Sequence, residues 1–452
     1  MTNNGENMKV AVIGGGLLGL SLAYEMTKQA DDIQVQLFER SNQPGGVAGS
    51  MSFGGAEVDR FYHCILSSDS DLLQLIEELG LRDQVRFKET RMGFYHNAKL
   101  YPMTKPLELL RFPPLRLVDR LRLAYTILHS RLFIKNWAPL EKKSVEKWLI
   151  ELGGRRTYNL IWKPLLNAKF DGGFNNIPAT YIWSRIVRVS SASDKKSGKE
   201  LSGHIIGGYQ VLAERLVKAI EAGGGQVHLG ANIKEIVIEN NRACGLALEN
   251  GFEAFDSIIV TTPSHIFSRL IPGASQEYRQ SLETIPYLGI VCLLLGLDRS
   301  LTPYYTLNIT DTAIPFTGLI ETTNLINPEF VNGNHLVYLP KYILPENPLA
   351  RMPDSQVKEV FLADLKKMFP DFDEKWVTEA RVMRERFVEP LHNIQGTWQT
   401  PQVVTPVGNL SLANTAQIWP ELTNGQSVTT YGRMIARKLA RTYKEENQFL
   451  NV

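Results

Sequence analysis

Lys9-Val10-Ala11-Val12-Ile13-Gly14-Gly15-Gly16-Leu17-Leu18-Gly19 is the stretch on which the fold turns. A short apolar run of the kind a buried strand needs breaks at once into glycines, and Leu20 to Thr27 then has helical character. About twenty residues beyond Gly19, Val35-Gln36-Leu37-Phe38 forms a second strand that ends in Glu39, the spacing of a dinucleotide-binding strand–helix–strand unit. Gly14 permits the tight strand-to-helix turn, Gly16 lets the backbone approach a pyrophosphate, and Gly19 lets the helix pack closely on the strand. The helix start at Leu17 and Leu18 offers free N–H groups and a positive dipole end to phosphate. Glu39 stands where it can accept hydrogen bonds from a ribose diol. A ligand-free glycine turn would need strand, glycines, helix and terminal acid to coincide by accident.

The next segment separates FAD from NAD. Arg40-Ser41-Asn42-Gln43-Pro44-Gly45-Gly46-Val47-Ala48-Gly49-Ser50 resembles the second glycine motif of the flavoprotein superfamily of protoporphyrinogen oxidase, phytoene desaturase and monoamine oxidase. In that superfamily the segment runs under the flavin and its diphosphate, which implies cofactor contacts from Arg40, Gly45, Gly46, Val47 and Ala48. Many members carry Arg after the twin glycines. Val47 removes that phosphate contact and leaves the backbone contacts in place.

Two later blocks extend the resemblance. Gly207-Gly208-Tyr209 precedes an amphipathic helix with Leu212, Leu216 and Ile220 on one face, ended by Gly223-Gly224-Gly225. Strand-like runs follow at Gln226 to Leu229, Ile233 to Glu239 and Cys244 to Leu248, and the block closes at Thr261-Thr262-Pro263. In the superfamily this block returns to the adenosine side of the cofactor, which implies contacts from Ile233 and Thr262. Near the C-terminus, Gly408 to Thr415 forms a strand and loop leading to a helix from Val428 to Tyr443. There the resemblance implies contacts from Asn414, Ser427 and Val428, with a helix N-terminus stabilising reduced flavin. The usual Gly-Asp is Ala413-Asn414 here, so the customary carboxylate becomes an amide.

Composition agrees. The chain has 452 residues, 44% hydrophobic and 21% charged, which describes a folded protein with more than one ordinary core. A net charge of +2 gives no case for a nucleic-acid partner. The three cysteines, Cys64, Cys244 and Cys292, lack CxxC spacing and imply a reducing compartment with neither a disulfide framework nor a metal site. Residues 1–8 lack a secretory apolar core, so the expected location is cytoplasmic, with or without membrane association. Ile285 to Leu297, the longest apolar run, is too short to cross a bilayer.

The fold class expected is α/β: a Rossmann-like FAD-binding domain of the GR2 flavoprotein type, with an interleaved α+β substrate domain. Residues 1–65, 201–263 and 401–445 are assigned to the first, and 66–200 with 264–400 to the second. The first insertion is expected to be mostly helical, including a long helix from Leu115 to Lys135. Ser190 to Ser202 looks like a surface loop. No Lys occurs on Leu288-Gly289-Ile290-Val291-Cys292, where the resemblance places the lysine of true amine oxidases, and no cysteine lies near Tyr431-Gly432. Both points imply noncovalent FAD and a reading away from amine oxidation.

Chemistry is expected from two pools. Tyr62 and His63 follow the second glycine motif where the superfamily's chain passes the flavin ring, and His63 is suited to proton transfer near neutrality. The alternative is that Tyr62 packs on the flavin edge while His63 bonds a backbone carbonyl. Glu321, Tyr338 and Lys341, at the ends of strands in the second insertion, are substrate candidates. From Lys99 to Lys143 basic residues alternate with leucines and phenylalanines, which fits either a core-facing helix with a solvated basic back or a helix lying on anionic lipid. The expected activity is FAD-dependent oxidation or dehydrogenation of a hydrophobic or lipid-linked small molecule, with the electron acceptor unnamed. Two alternatives remain: a redox-neutral flavoenzyme like UDP-galactopyranose mutase, for which Arg381, Arg384 and Arg386 are diphosphate candidates, and a noncatalytic FAD-binding partner protein.

Overall fold

Residues 7–29, 32–191, 201–394 and 399–450 are described by the computed structural model. Five parallel strands form its first sheet, in the order Gln226–Leu229, Ile33–Glu39, Met8–Ile13, Ser257–Val260 and Leu410–Leu412. The chain moves outward from the Met8–Ile13 strand on one side and later returns on the other. The strand order therefore reverses between Met8–Ile13 and Ser257–Val260, where Ile13 lies beside Val260. In an open parallel sheet, the crevice beyond the carboxyl ends at such a point is where a ligand binds.

Alternation along the first strand assigns its two faces. Val10 and Val12 join a core with the helices Leu17–Thr27, Tyr209–Ala222 and Gly425–Leu450. Ala11 and Ile13 join another with the antiparallel strands Glu235–Glu239 and Arg242–Leu248. Glu25 fastens the first helix to the last: its buried carboxylate accepts from Arg433 at 2.9 Å and Arg437 at 2.8 Å. Ile233 lies in the extended stretch just before Glu235–Glu239, half-buried against the second of these cores.

A second sheet has seven strands, in the order Val377–Pro390, Tyr287–Leu297, His335–Ile343, Gly318–Glu321, Thr306–Ile309, Met92–His96 and Lys99–Pro102. The longest apolar run of the sequence is its Tyr287–Leu297 strand, buried along its whole length because layers pack on both faces. Helix Asp354–Met368 covers one face through Val357, Phe361 and Leu365. On the other, Ile290, Cys292, Leu294 and Tyr338 meet Phe53, Val58 and Phe61, so the sheet closes over the chain that leaves the second glycine motif.

Three local expectations change. Residues 85–102 are strands rather than helix, and the Met92–His96/Lys99–Pro102 hairpin turns on Asn97 and Ala98, both in the left-handed region at φ 50° and 56°. Alanine gave no warning of that turn. The Ser190–Ser202 loop is shorter than expected, since Ser191 ends helix Ala179–Ser191 and Leu201 begins strand Leu201–Ile205; 192–200 lie outside the described residues. The basic amphipathic segment forms helix Leu117–Leu132, but its apolar stripe does not face the core. Its inward side carries Asp119, Leu123, Thr126 and Ser130, while Leu117, Leu121, Tyr125, Leu128 and Leu132 are each at least 50% exposed, with Phe133 at 70% just beyond.

Candidate functional site

At the reversal point, backbone shape makes the crevice. Gly14 turns at φ +115°, where an added Cβ would come 2.5 Å from Thr261 Oγ1. A Cβ on Gly19 would fall 2.0 Å from the Gly14 carbonyl oxygen, which is why the helix can pack this closely. Gly16 differs: a Cβ there would meet nothing within 4 Å and would project into open space. It caps the Leu17–Thr27 helix without a side chain, so the first N–H groups, at Leu17 and Leu18, are not occupied by a capping residue.

The second glycine motif is laced to the first. Gly45 N–H donates to Gly15 O at 2.8 Å, and Gly45 and Gly46 both have positive φ, 112° and 59°. Glu39 closes the side of the crevice, one carboxylate oxygen accepting from Gly15 N–H and the other from Ser41 N–H, each at 2.7 Å. Arg40 is exposed, and Val47 and Ala48 are half-buried. Across the crevice, the buried Thr262 Oγ1 has no hydrogen-bond partner. Asn414 spans the exits of two strands, donating to Thr262 O at 3.1 Å and Ser264 Oγ at 3.0 Å while accepting from Ala416 N–H at 3.1 Å. Its amide is thus committed to holding the loops together. Ser427 Oγ donates to Leu422 O at 2.7 Å and shapes the start of the Gly425–Leu450 helix, with Val428 buried behind it. An open glycine, an uncapped helix start, an unpartnered hydroxyl and a strand-end carboxylate together fit a dinucleotide.

From Gly49 the chain makes a hairpin, Ser50–Phe53 and Ala56–Asp59, which brings Asp59 back opposite Ser50. Asp59 Oδ1 accepts from Tyr209 N–H at 3.0 Å, at the start of helix Tyr209–Ala222. A Cβ on Gly208 would lie 2.4 Å from that oxygen, so the contact requires glycine. Burial pushes the Asp59 pKa up to about 7, and the Tyr209 N–H pulls it the other way. Tyr338 O–H donates to the Asp59 carbonyl at 2.6 Å, and the Tyr62 ring meets Tyr338 edge-on at 6.1 Å. His63 lies against Tyr209 at 5.1 Å. Burial drives the His63 pKa down to about 4, against a smaller opposing pull from the Phe61 carbonyl. At that value the imidazole is neutral at pH 7, and its bond to the Phe61 carbonyl is the alternative expected for His63. Asp59, Tyr62, His63, His204 and Tyr338 share a cavity of about 50 Å³.

Beyond Tyr62 lies a cluster that the strand-end reasoning missed. Tyr62 O–H bonds Tyr342, whose ring has the Lys169 ammonium 3.3 Å from its centroid. Lys169 Nζ is 2.6 Å from Glu389 Oε2. Burial opposes its charge, but the Glu389 carboxylate holds its pKa above the ordinary value. Tyr181 and Arg185, on helix Ala179–Ser191, complete the group. Lys169 ends a helix, Lys163–Phe170, that continues a single π-helical turn at Tyr158–Trp162, an irregularity common at functional sites.

Two of the strand-end candidates are elsewhere. Glu321 is fully buried, accepting from Ser300 Oγ at 2.7 Å and from the N–H groups of Leu301 at 3.1 Å and Thr302 at 2.7 Å. It grips a turn rather than facing a pocket. Lys341 precedes Tyr342 on one strand, and successive residues point to opposite faces. Its ammonium pairs with Asp171 at 3.1 Å while Tyr342 turns to Tyr62 and Lys169. Among the described residues there is no group of three potential metal ligands and no helix long and apolar enough to cross a membrane.

Comparison with known proteins gives the setting for this geometry. The family described as flavin containing amine oxidoreductase matches residues 19–426. The 15-cis-phytoene desaturase of Capsicum annuum is 21% identical over 415 residues, covering 86% of this chain and 69% of its own. A putative protoporphyrinogen oxidase from Exiguobacterium has a TM-score of 0.74 at 16% identity, over 96% of this chain and 99% of its own. Reduced UDP-galactopyranose mutase has a TM-score of 0.72 at 14% identity, over 96% and 94%. At these identities the solved structures share the fold.

Proposed function

The chain belongs to the flavin-containing amine oxidoreductases and is a flavin-dependent oxidoreductase, and from that premise we propose that it holds FAD noncovalently and dehydrogenates a hydrophobic, lipid-like small molecule taken from an anionic membrane surface. The observation that carries the cofactor is the crevice at the strand reversal, with Gly16 open beneath it. Gly16 and the helix start at Leu17 and Leu18 would hold the pyrophosphate, Glu39 the ribose, and Thr262 with its free hydroxyl a polar edge. FAD, when bound, supplies the electron sink for the oxidation. In this reading, 1–65, 201–263 and 401–445 form the cofactor unit, and 66–200 with 264–400 cover the substrate.

The protein's own part is positioning and proton storage. Tyr62 and Tyr342, joined by a hydrogen bond, connect the cavity at Asp59 to the Lys169–Glu389 cluster, the proposed substrate chamber. Asp59 is poised to keep or release a proton near pH 7, and neutral His63 supplies shape and a hydrogen-bonding edge beside it. The case for a lipid-like substrate comes from the exposed stripe of helix Leu117–Leu132, flanked by exposed Arg111, Arg116, Arg122, Arg131 and Lys135. Leucines outward and arginines around them suit the boundary of an anionic bilayer. The mutase-like alternative asked for arginines free to grip a diphosphate. Arg381 pairs with Glu379 at 2.9 Å and Arg384 pairs with Asp354, while the Arg386 guanidinium lies 5.7 Å from the Phe387 ring; two of the three are engaged in ion pairs, so the oxidative reading is preferred.

Anaerobic mixing with candidate lipid-like reductants, watched at the flavin absorbance, tests the activity. Bleaching by a hydrophobic substrate supports it; bleaching by dithionite alone across the panel counts against it.

A further inference from the structure

We infer that the pocket walled by Trp137, Trp419 and His392 binds an alkylated ammonium cation, with Glu141 as the counter-charge. The inference stands apart from the proposed flavin chemistry, since this pocket shares no lining residue with the cavity at Asp59.

The pocket has a volume of about 270 Å³ and is lined by Trp137, Glu141, His392, Asn393, Thr400 and Trp419. Trp137 and Glu141 bracket the short helix Ala138–Glu141. His392 lies just beyond strand Val377–Pro390, and Trp419 comes from the loop before helix Gly425–Leu450. Trp419 is fixed on two sides. Its Nε1–H donates to both carboxylate oxygens of Glu141, at 2.8 and 2.9 Å, and the His392 ring stacks on it at 4.1 Å with 19° between the planes. Thr180 Oγ1 donates to the same carboxylate at 2.8 Å. Glu141, half-buried, is thus held by two neutral donors, and no Lys, Arg or His among the described residues forms an ion pair with it. Burial pushes the His392 pKa down to about 3, so at pH 7 the imidazole adds an aromatic face and no positive charge.

One uncompensated carboxylate among three aromatic rings selects its ligand. A carboxylate drawn out of water is costly until a cation reaches it. A metal ion wants several oxygen or nitrogen ligands, and among the described residues no group of three potential ligands exists. An alkylated ammonium is weakly hydrated, brings methyl groups to the ring faces and is drawn to them by their quadrupoles. An uncharged molecule of the same shape would fill the walls and leave Glu141 without a counter-charge.

The pocket also adjoins the exposed apolar helix. Leu117–Leu132 and Ala138–Glu141 both pack on helix Ala179–Ser191, the first through Trp183 Nε1–H to Ser130 O at 3.1 Å and the second through Thr180 and Glu141. The trimethylammonium group of a choline lipid and that of a free choline-like solute offer the same chemistry, and the test separates them.

Calorimetric titration of the flavin-loaded protein with choline, and with dimethylbutanol as its uncharged carbon isostere, is that test. Wild type should bind choline roughly tenfold or more tightly than the isostere. Glu141→Gln, which keeps an acceptor for the Trp419 N–H, should erase the preference with flavin content unchanged. Trp137→Leu removes one wall, leaves Glu141 in place and should weaken choline binding roughly fivefold. Sedimentation with anionic vesicles, with and without phosphatidylcholine, identifies the source. For a lipid headgroup, the choline lipid strengthens binding of wild type and not of Glu141→Gln; for a free solute it changes neither. No preference for choline in wild type, a preference that survives Glu141→Gln, or full choline affinity in Trp137→Leu overturns the inference.

Discussion

The glycine-lined crevice and the proposed substrate chamber beside Tyr62 are built from different materials. The crevice is mostly backbone: Gly14, Gly16, Gly19, Gly45 and Gly46 set its shape, and its donors are N–H groups at a helix start. The chamber is made of side chains, with Lys169, Arg185, Tyr342 and Glu389 brought from separate elements. A backbone site depends on local spacing and tolerates little change; a side-chain site depends on how distant elements meet and can be rebuilt residue by residue. In the proposed function the crevice sets what kind of chemistry the fold does, and the chamber sets on what.

That contrast orders the expected effects. Gly16→Val should abolish flavin binding with the fold retained, because the open space that its Cβ would enter is the proposed path of the pyrophosphate. Colourless protein with an unchanged far-ultraviolet circular dichroism spectrum is the expected result. Yellow Gly16→Val protein would break the comparison at its stronger side.

In the chamber, Lys169→Met should destabilise the protein by about 3–5 kcal/mol, since it strands a largely buried Glu389 carboxylate. The double variant Lys169→Met/Glu389→Gln should recover part of that loss. Denaturant melts of the three proteins check it, and additive losses would show that the pair is not coupled. Flavin content should stay at the wild-type level in each.

The same contrast explains what was legible. Gly14, Gly16, Gly19 and Glu39 could be read because their roles follow from spacing within one strand–helix–strand unit. Nothing in the linear sequence says that the Lys169 ammonium reaches Tyr342 and Glu389. Arg185 carried no signal until the face of its helix was known. Glu321 misled because a strand-terminal acid looks the same whether it faces a pocket or curls back on the Ser300–Thr302 turn. Lys341 misled by one residue: parity along the strand sent Tyr342 to the chamber and the lysine to Asp171. The helix Leu117–Leu132 had the right composition for two opposite placements, and only packing chose between them.

That placement yields the next effect. Leu121→Glu/Leu128→Glu should weaken sedimentation with anionic vesicles by about a hundredfold or more, from the loss of about 1.5–3 kcal/mol per membrane-inserted leucine and added repulsion. Thermal stability should be unaffected, because both leucines are already exposed. Wild-type protein that stays in the supernatant with anionic vesicles at low salt would remove the membrane from the account.

The smallest effect is the pH dependence from Asp59. Its pKa is about 7 folded against an ordinary 3.8, so the folded state binds more protons between those values. The stability this gives is present below about pH 4 and lost as pH rises to about 7. Asp59→Asn should remove that slope, so the variant's melting temperature relative to wild type climbs from pH 4.5 to 7.5 and then levels. A difference that is flat over this range would contradict the assignment. His63, shifted down to about 4, gives a slope of opposite sign that cancels in the subtraction.

The central claim is that the glycine-lined crevice holds noncovalent FAD, and the most direct measurement is to precipitate the purified protein with acid and identify the released chromophore. A yellow supernatant containing FAD in a ratio near one per chain, above a colourless pellet, is the expected result. FMN or NAD in the supernatant, or colour fixed in the pellet, would contradict it.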